Sequence, residues 1–326
     1  MSVMLTGGAG FVGLNVAELL LNDGHDVVVY GLEAPSERFM KHVADMPGQL
    51  STVIGDVRDR DAVRQAMAAH GVDRVVHGAA VTAGRSREAT GGADVVSVNV
   101  IGAVEVLEAC SEHGVRRVVQ LGTGSIYGMR ADVPGVLDEV DDPPVPDSLY
   151  GITKYAAERI GLRYRSTRDL DLVVARLANV FGRWEYPTGK RDTLSIPYLL
   201  MQHADRGEHA IVGPDLPQDW VYALDVASAI VGLLFKDQVV HDVLHVGTGT
   251  RWSVETWCEK LREEFPEFSY EFVDQKDRAT VGRETPNRRA PFSIERLRSE
   301  LSFTPRFMLP EALADYSDWW RQSRDE

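Results

Sequence analysis

Short apolar runs rich in β-branched residues alternate with segments of helical periodicity through the first two-thirds of the chain. Strands separated by helices of about 10 to 20 residues are typical of βαβ units, so the alternation predicts a parallel sheet. Continuous apolar strands suit a sheet that helices cover on both faces. The predicted strands are Val3–Leu5, Val27–Tyr30, Leu50–Ile54, Arg74–His77, Arg117–Leu121 and Leu172–Arg176.

The pattern changes after about Arg176. Residues 182–220 contain Gly, Pro, Trp and mixed charges, with one predicted helix near 195–206, and the tail mixes helices with Pro-rich loops. The chain has 326 residues, and a chain of this length forms about two domains. We predict a sheet domain from residues 1–176 and about 221–250, and a smaller C-terminal substrate-binding lobe from about 177–220 and 251–326.

The chain carries a net charge of −14, because its 49 acidic residues outnumber its 35 lysines and arginines. This sign argues against nucleic acid and membranes as partners, since both bind clustered cations, and no apolar run approaches the roughly 20 residues that cross a bilayer. Cys110 and Cys258 lie far apart, which excludes a disulfide framework and fits a reducing compartment. The early Gly7 leaves no room for a secretion signal, so we expect a soluble cytoplasmic protein.

Residues Thr6–Gly13 read TGGAGFVG, between the first predicted strand and a helix that begins near Phe11. The glycines allow a tight turn and let a pyrophosphate approach the backbone at the positive end of a helix. The alternative is a turn without a ligand, but the strand–turn–helix context favours dinucleotide binding. A nucleoside-triphosphate loop is excluded, because Leu14 and Asn15 stand where that loop needs Lys followed by Ser or Thr.

The end of the second strand selects between NAD and NADP, since an acidic residue there binds the adenosine ribose and an arginine favours the 2′-phosphate. Gly31 occupies the expected acidic position, and Glu33 lies two residues further on. Arg38 and Lys41 follow and are able to serve a phosphate, although loop charges are more often solvated. We expect NAD and leave NADP open.

Tyr150 and Lys154 stand four residues apart at the start of a predicted helix that continues to about Arg168. This spacing places both side chains on one helix face. Tyrosine has a pKa of about 10 and is a poor base at neutral pH, but a cation within about 4–6 Å lowers the pKa of a neighbouring acid by about 1–3 units. Lys154 therefore makes Tyr150 a candidate proton shuttle for a carbinol or carbonyl. The alternative is an ordinary surface pair.

Further motifs stand around the glycine turn and the Tyr150–Lys154 pair. They are Gly55–Asp59 (GDVRD), His77–Ala80 (HGAA), Asn99, Thr123–Gly128 (TGSIYG) and Arg176–Gly182 (RLANVFG). Together these motifs resemble the extended short-chain dehydrogenase/reductase family, the NAD-dependent epimerases and dehydratases of nucleotide sugars, in particular UDP-glucose 4-epimerase-like enzymes. The resemblance covers nearly the whole chain. It implies an α/β fold with a Rossmann-type parallel sheet, helices on both faces and a smaller C-terminal substrate lobe.

The resemblance also implies roles for individual residues. Tyr150 and Lys154 match the family's catalytic pair, assisted by Thr123 or its neighbour Ser125. The residues expected to bind the cofactor are Gly7, Gly10, Phe11, Val12, Gly13, Glu33, Asp56, Val57, Ala79, Ala80, Asn99 and Lys154. The residues expected to contact substrate are Thr82, Arg85, Ser125, Asn179, Arg183, Arg191, Gln218 and Arg283. No metal site is expected, since the histidines and cysteines show no ligand spacing.

Two departures from the family pattern concern the reaction and the substrate. Dehydratases of this family carry an acidic residue two positions before the tyrosine of the YG pair, where this chain has Ser125 preceded by Gly124. This difference argues against dehydration. Many relatives hold a sugar-nucleotide phosphate with an arginine where this chain has Gln218, and an amide lacks the charge-assisted bidentate contact. A free sugar, a sugar acid or a polyol derivative therefore competes with a nucleotide sugar as substrate.

Residues 276–298 hold seven basic and three acidic residues, a local charge of +4 in an acidic chain. Such a patch suits a small anionic substrate, a phosphate or a carboxylate, better than a polymer. We predict an NAD(P)-dependent sugar-nucleotide epimerase that uses Tyr150 as acid and base, with hydride transfer to nicotinamide. The alternatives are an NAD(P)-dependent dehydrogenase of a free sugar, sugar acid or polyol derivative, and a non-catalytic cofactor-binding regulator.

The segment from about Gly92 to His113 carries apolar residues on more than one helical face. A helix that is apolar around most of its circumference is buried in a core or between subunits. Relatives pair this helix and the Tyr150 helix across a two-fold axis, so the resemblance implies a homodimer.

Overall fold

Each predicted strand forms in the computed structural model, which describes residues 1–128, 135–214, 217–275, 278–282 and 289–322. The strands are β1 (Ser2–Thr6), β2 (Asp26–Gly31), β3 (Leu50–Ile54), β4 (Val72–His77), β5 (Arg117–Thr123), β6 (Leu172–Leu177), β7 (Asn179–Phe181), β8 (His209–Val212), β9 (Trp220–Tyr222), β10 (Val243–Val246) and β11 (Ser269–Phe272). Seven of them form a parallel sheet in the order β10-β6-β5-β4-β1-β2-β3. This sheet confirms the predicted α/β fold class.

Helices cover both faces of this sheet. They are α1 (Phe11–Asn22), α2 (Glu37–His42), α3 (Arg60–Ala69), α4 (Arg85–Val96), α5 (Gly102–His113), α6 (Leu149–Arg168), α7 (Ile196–Asp205), α8 (Ala223–Phe235), α9 (Val254–Glu264), α10 (Glu295–Leu301) and α11 (Leu309–Gln322). Alternate side chains of β1 point to opposite faces: Val3 and Leu5 pack with α1 and α8, whereas Met4 packs with α3 and α5. Within the described residues, none of the helices has the length and apolar character to cross a membrane.

The strand order reverses at β1, which lies between β2 and β4. In open α/β sheets, ligands bind in the crevice outside the carboxyl ends of the strands at such a switch point. The carboxyl ends of β1, β4 and β5 carry Thr6, His77 and Thr123, and each of these residues belongs to a motif found in the sequence. The topology therefore brings three motifs that are distant in sequence to one edge of the sheet.

The helix predicted from about Gly92 to His113 forms, but it is not a regular α-helix along its whole length. It begins earlier, at Arg85, is kinked at Gly91, and passes through a π-helical turn at Ser97–Ile101 before α5. Single π-helical turns inside longer helices often occur at functional sites. Here the turn carries the buried Asn99, whose amide bonds the backbone of Val81 in the loop after β4. Periodicity predicted the helix itself but does not register this tertiary contact.

A smaller lobe surrounds β7, β8, β9 and β11, which form two parallel pairs. The helix predicted near 195–206 is α7, and the hydroxyl of Ser195 caps it by accepting a hydrogen bond from the Tyr198 N–H at 3.1 Å. One apolar cluster runs from Val3 in the sheet to Trp319 in α11. The predicted boundary between the domains stays a prediction, because core side chains pack continuously across it.

Candidate active site

A cleft of about 480 Å³ opens at the carboxyl ends of β1, β4 and β5, a size usual for a cofactor or ligand site. The glycine turn, Tyr150 and Lys154 all line this cleft. The lobe contributes the segment 186–193 and Arg289. All of the expected cofactor residues except Asn99, and part of the expected substrate residues, therefore face one cavity.

The glycine turn leaves no space for side chains. A methyl group on Gly7 would lie 2.8 Å from Ala79 Cα, and one on Gly13 would lie 2.6 Å from the Gly8 carbonyl oxygen. Gly7 also has a φ of +67°, in the left-handed region that favours glycine. The turn leads into α1, which begins at Phe11 and has no acidic residue in its first turn. The N–H groups in the first turn of α1 and the positive helix end thus fit a dinucleotide pyrophosphate.

The part of the cleft where the resemblance leads us to expect the adenosine is lined by Glu33, Asp56 and Val57. Arg58 donates from its backbone N–H to Asp56 Oδ1 at 2.9 Å, and its Nη2 lies 2.6 Å from Oδ2. These bonds from Arg58 hold the pKa of Asp56 below its usual value. Arg38 stacks over the rings of Trp184 and Trp319 at 5.2 and 4.5 Å. Glu33, which suits a ribose hydroxyl, therefore faces the cleft, and Arg38 is occupied elsewhere.

Ala79 and Ala80 line the cleft as expected, but Asn99 does not. The Asn99 amide accepts from the Val81 N–H at 2.8 Å and donates to the Val81 carbonyl and the Thr153 hydroxyl, at 3.1 and 3.0 Å. These bonds use the amide fully inside the protein. The expectation that Asn99 contacts the cofactor is therefore corrected: the residue fixes the loop after β4 against α6.

Tyr150 lies in the first turn of α6, and the hydroxyl of Ser148 caps this helix by accepting from the Gly151 N–H at 3.1 Å. Burial raises the pKa of Tyr150, and hydrogen bonds from Thr123 and Thr82 oppose that rise. The positive charges of Arg191 and Arg289 oppose it further. The cations that act on the phenol thus include two arginines of the lobe that the helical spacing did not reveal.

Lys154 is almost completely buried, at 5% exposure. Burial lowers its pKa to about 8, and the Glu158 carboxylate one turn further along α6 opposes this shift. At neutral pH the ammonium group is therefore still mostly protonated. Glu158 itself is held by Arg176, whose Nη2 lies 2.6 Å from Glu158 Oε1. This buried ion pair fixes α6 on β6 below the cleft.

The hydroxyl of Thr123 is one of the groups that oppose the rise in the pKa of Tyr150. Thr123 Oγ1 also accepts from the Ser125 N–H at 3.2 Å, which starts a short 3-10 turn over Gly124–Tyr127. Ser125 lines the cleft nearby. Both alternatives that the sequence left open therefore line the cleft with Tyr150.

The structure brings together four of the expected substrate residues and places others elsewhere. Thr82, Ser125, Asn179 and Arg191 line the cleft. Arg191 lies 2.9 Å from Glu185 and 5.1 Å from the centre of the Phe11 ring. The helix-terminal Arg85 is exposed outside the wall, and Arg283 lies outside the described residues.

Arg183 and Gln218 were also expected to contact substrate, and neither lines the cleft. Arg183 Nε donates to Asp315 Oδ2 at 2.8 Å, so its guanidinium is committed to an ion pair with α11. Gln218 is buried, and its backbone pairs with that of Trp252. Both expectations are corrected: Asp315 holds the Arg183 side chain, and Gln218 is buried outside the wall of the cleft.

Two features of the wall were not predicted from the sequence. The segment 188–193 crosses the cleft, since Thr82 donates to the Lys190 carbonyl at 2.9 Å and accepts from the Asp192 N–H at 3.1 Å. An ion pair between Arg87 and Asp192, at 2.6 Å, holds this segment on α4. The second feature is Arg289, which the sequence indicated only as one member of the basic segment 276–298.

Comparisons with known proteins agree with this geometry. Residues 3–247 match the profile of the family described as NAD dependent epimerase/dehydratase. A dTDP-glucose 4,6-dehydratase of Streptomyces niveus is 28% identical over 333 residues, 99% of this chain and 94% of the relative. A UDP-glucose 4-epimerase of Corynebacterium glutamicum is 29% identical over 276 residues, 81% of this chain and 80% of the relative. The solved structure of MoeE5 in complex with UDP-glucose and NAD is 29% identical, has a TM-score of 0.79, and covers 99% of this chain and 100% of that chain.

Proposed function

Because the chain belongs to the NAD-dependent epimerase/dehydratase family, we propose that it epimerises a carbinol centre of a nucleotide-linked sugar. The observation that carries this proposal is the position of Tyr150, in the cleft that the glycine turn and Ala79 share. A proton-transfer group must lie within hydrogen-bond reach of the reacting hydroxyl. Tyr150 meets this requirement for a sugar that lies along the same cavity as the cofactor.

The protein's part in the reaction is the movement and placement of a proton. When NAD is bound, its nicotinamide supplies the hydride chemistry. Tyr150 takes the proton of the reacting hydroxyl and returns it to the oxygen of the inverted centre. Burial raises the pKa of Tyr150, whereas Thr123, Thr82 and the charges of Arg191 and Arg289 lower it, so these four residues offset part of the cost of forming the phenolate. Lys154, on the same helix face, holds a further positive charge below the cofactor site.

The residues beside Tyr150 favour epimerisation over dehydration. Dehydration needs a second acid or base to remove a proton from carbon and to release water. The turn that precedes Tyr127 offers Gly124 and Ser125 at the positions where dehydratases carry acidic residues. Although one relative is named a dTDP-glucose 4,6-dehydratase, this chain lacks a carboxylate at these two positions.

Gln218 favours a second candidate function. A buried amide without a guanidinium in this part of the lobe weakens the case for a diphosphate, because the amide gives no charge-assisted contact. An NAD-dependent dehydrogenase that acts on a free sugar, sugar acid or polyol derivative would not need that contact. It would use the same Tyr150 as a base, and it would release an oxidised product.

The test is a panel of sugars and sugar nucleotides, including UDP-glucose, dTDP-glucose and the free sugars, incubated with the purified enzyme and NAD. Our proposal predicts a stereoisomeric product from a nucleotide sugar without accumulation of reduced cofactor. Accumulation of NADH in proportion to an oxidised sugar would support the dehydrogenase. A 4-keto-6-deoxy product would show dehydration and contradict the argument from Gly124 and Ser125.

We also propose that the chain forms a homodimer through α6 and the helices packed against it. Val96, Ile101 and Ile152 are large apolar residues that are 41%, 48% and 49% exposed on these adjoining elements. Apolar side chains grouped in this way mark an interaction surface. Light scattering at micromolar concentration should give twice the mass of the chain. Ile152→Lys should give a monomer, whereas Val240→Lys, at an exposed site elsewhere, should leave the dimer intact.

For location we propose the cytoplasm. Cys110 and Cys258 are both buried thiols that do not form a disulfide. Such thiols suit a reducing compartment.

A further inference from the structure

Residues 186–194 leave the lobe, reach across the cleft and return to the lobe, and we call this segment the strap. A buried contact closes its base. Glu185 Oε1 accepts a hydrogen bond from the Ser195 N–H at 2.7 Å, and Glu185 Oε2 accepts one from the Ser195 hydroxyl at 2.6 Å. Ser195 is fully buried and caps α7. The two ends of the strap are therefore fixed together, and its tip is the part that is free to move.

The tip of the strap is bonded to the opposite side of the cleft, at the loop after β4 and the start of α4. Thr82 donates one backbone hydrogen bond to the tip and accepts one from it. Asp192 Oδ2 accepts from the Gly84 N–H at 2.9 Å, and Arg87 pairs with Asp192 and donates to the Gly189 carbonyl at 2.9 Å. The Arg87 and Asp192 side chains are 30% and 24% exposed. Ion pairs that water reaches contribute little energy, so this contact is able to open.

Near its base the strap also contacts the glycine turn. The Tyr186 hydroxyl donates to the Ala9 carbonyl at 2.7 Å, and Tyr186, Thr188 and Lys190 all line the cleft. The strap is thus bonded to the glycine turn on one side and to the loop after β4 on the other. A dinucleotide that lies on the glycine turn would be enclosed between the turn and the strap.

The charges around the strap indicate which part of NAD it covers. Arg58 holds the pKa of Asp56 below its usual value, and the charge of Lys190 adds to this effect. Burial raises the pKa of Tyr186, and the charge of Glu33 adds to that rise. The strap therefore lies beside the part of the cleft where the adenosine is expected. Lys190 is exposed and forms no salt bridge within the described residues, so its ammonium group is available to the pyrophosphate.

We propose that the strap is a closure of the cofactor site, whose tip opens to admit NAD and then closes over it with Lys190 against the pyrophosphate. NAD enters and leaves only when the tip has separated from Thr82, Gly84 and Arg87. The tip contacts thus set the rate at which the cofactor exchanges. The inference rests on the cofactor of the family, and it holds whether the sugar is epimerised or oxidised.

A disulfide across the tip tests this proposal. A Cβ atom on Gly84 would lie 3.4 Å from Asp192 Cβ, close to the roughly 3.5–4.5 Å that a disulfide spans. Gly84 has a φ of −89°, which a residue with a side chain adopts without strain. The double variant Gly84→Cys/Asp192→Cys is loaded with labelled NAD and oxidised. Release of the label into excess unlabelled NAD is then followed by rapid gel filtration.

The same protein after reduction is the matched control, and Cys110 and Cys258 do not compete for the disulfide because both are buried. We expect oxidation to slow the release of NAD at least about tenfold, since a disulfide stabilises the closed state more than the ion pair that it replaces. Protein oxidised without NAD should load the cofactor slowly. Reduction should restore both rates.

Single substitutions in the strap and its anchor should have the opposite effect. Arg87→Gln and Lys190→Gln should each speed the release of NAD by about two- to fivefold, and Tyr186→Phe should speed it by about two- to tenfold. Lys260→Gln is the matched control for the lysine, because Lys260 pairs with Glu263 on α9 and does not line the cleft. This control should release NAD at the rate of the natural protein.

Equal release from the oxidised and reduced proteins overturns the proposal. Failure of the two introduced cysteines to link also overturns it, because the tip would then not lie on Gly84. Release that is unchanged in Lys190→Gln, or equally fast in Lys260→Gln, contradicts the role given to Lys190. The oxidised and reduced proteins are one polypeptide, so a folding defect in another variant does not affect their comparison. The product formed from the sugar does not enter these measurements, so the closure and the proposed function fail separately.

Discussion

The two ends of the cleft are built by different means. The end that we expect to hold the cofactor is formed by backbone atoms of the glycine turn. The turn is packed so closely that a methyl group on Gly7 would lie 2.8 Å from Ala79, and one on Gly13 would lie 2.6 Å from Gly8. At the substrate end the protein offers side chains from segments far apart in sequence, including Thr82, Arg191 and Arg289. The first arrangement depends on the absence of side chains, and the second depends on their identity.

This difference explains how one fold keeps its cofactor and varies its substrate. A backbone cradle loses its shape with almost any substitution, so its sequence pattern is narrow. A wall of side chains held by ion pairs such as Arg191–Glu185 changes specificity with single substitutions. Tyr150 lies where the two arrangements meet, so its loss should affect catalysis and leave both kinds of binding in place.

The largest effect is expected from Tyr150→Phe. Removing the phenolic oxygen should lower kcat by about 10²- to 10⁴-fold, the contribution of a positioned acid–base group. NAD affinity should stay within about threefold, because the cradle does not contain this oxygen. Steady-state kinetics and cofactor titration measure the two quantities.

Tyr164→Phe is the matched control for this variant. Tyr164 lies on the same helix and hydrogen-bonds Glu108 away from the cleft, so kcat should remain unchanged. Near-normal turnover in Tyr150→Phe would show that another group moves the proton.

Gly7→Ala should disrupt the glycine turn and weaken both the stability of the protein and its binding of NAD. The left-handed backbone costs about 1–2 kcal/mol for a residue with a side chain, and the methyl group also meets the backbone of Ala79. We expect the unfolding free energy to fall by about 2–5 kcal/mol and NAD affinity to fall by more than tenfold.

Gly114→Ala separates these two contributions. Gly114 has a φ of +73° and would meet nothing within 4 Å, so it should lose only the conformational part, about 1–2 kcal/mol. Denaturant unfolding of the two variants measures the difference. Equal losses would mean that the close packing of the turn contributes nothing.

Burial of the Lys154 ammonium group should make the stability of the cofactor-free enzyme depend on pH. Its pKa falls from 10.5 to about 8 on burial, so the unfolded chain binds more protons between these values and stability rises with pH there. Lys154→Met removes the buried charge. The variant should therefore be more stable than the natural protein at pH 7, and this advantage should shrink as pH rises from 8 towards 10.5. An advantage that is constant with pH would contradict the burial argument.

The smallest effect is expected at the segment that crosses the cleft. Arg87→Gln removes the bidentate partner of Asp192. A partly exposed ion pair contributes about 0.2–1 kcal/mol, so KM should rise by about two- to fivefold with little change in kcat. Arg64→Gln removes a surface pair remote from the cleft and should leave KM unchanged. A large fall in kcat for Arg87→Gln would mean that this ion pair organises the reacting groups.

The cofactor end was predictable because its signals are local. The strand, the glycines and α1 are continuous in sequence, and Tyr150 and Lys154 are one helical turn apart. The contacts of Asn99 are different in kind. Its amide hydrogen-bonds Val81 and Thr153, and the spacing of residues in the sequence does not predict such contacts.

The substrate end depends on contacts between distant segments. Arg183 turns towards Asp315, 132 positions away, and its place in a predicted loop did not indicate this partner. Arg289 faces the cleft because Gly124, 165 positions earlier, leaves room for it. Side chains of the lobe are placed by such long-range packing, which composition and periodicity do not encode.

The most direct test of the account follows deuterium on the reacting carbon. UDP-glucose and UDP-glucuronic acid labelled with deuterium at C4 are incubated with the enzyme and catalytic amounts of NAD, and products are analysed by mass spectrometry and NMR. Epimerisation with Tyr150 as the proton shuttle predicts an inverted sugar that keeps its deuterium at C4, with no net NADH. Deuterium found in accumulated NADH, together with an oxidised sugar, would contradict it.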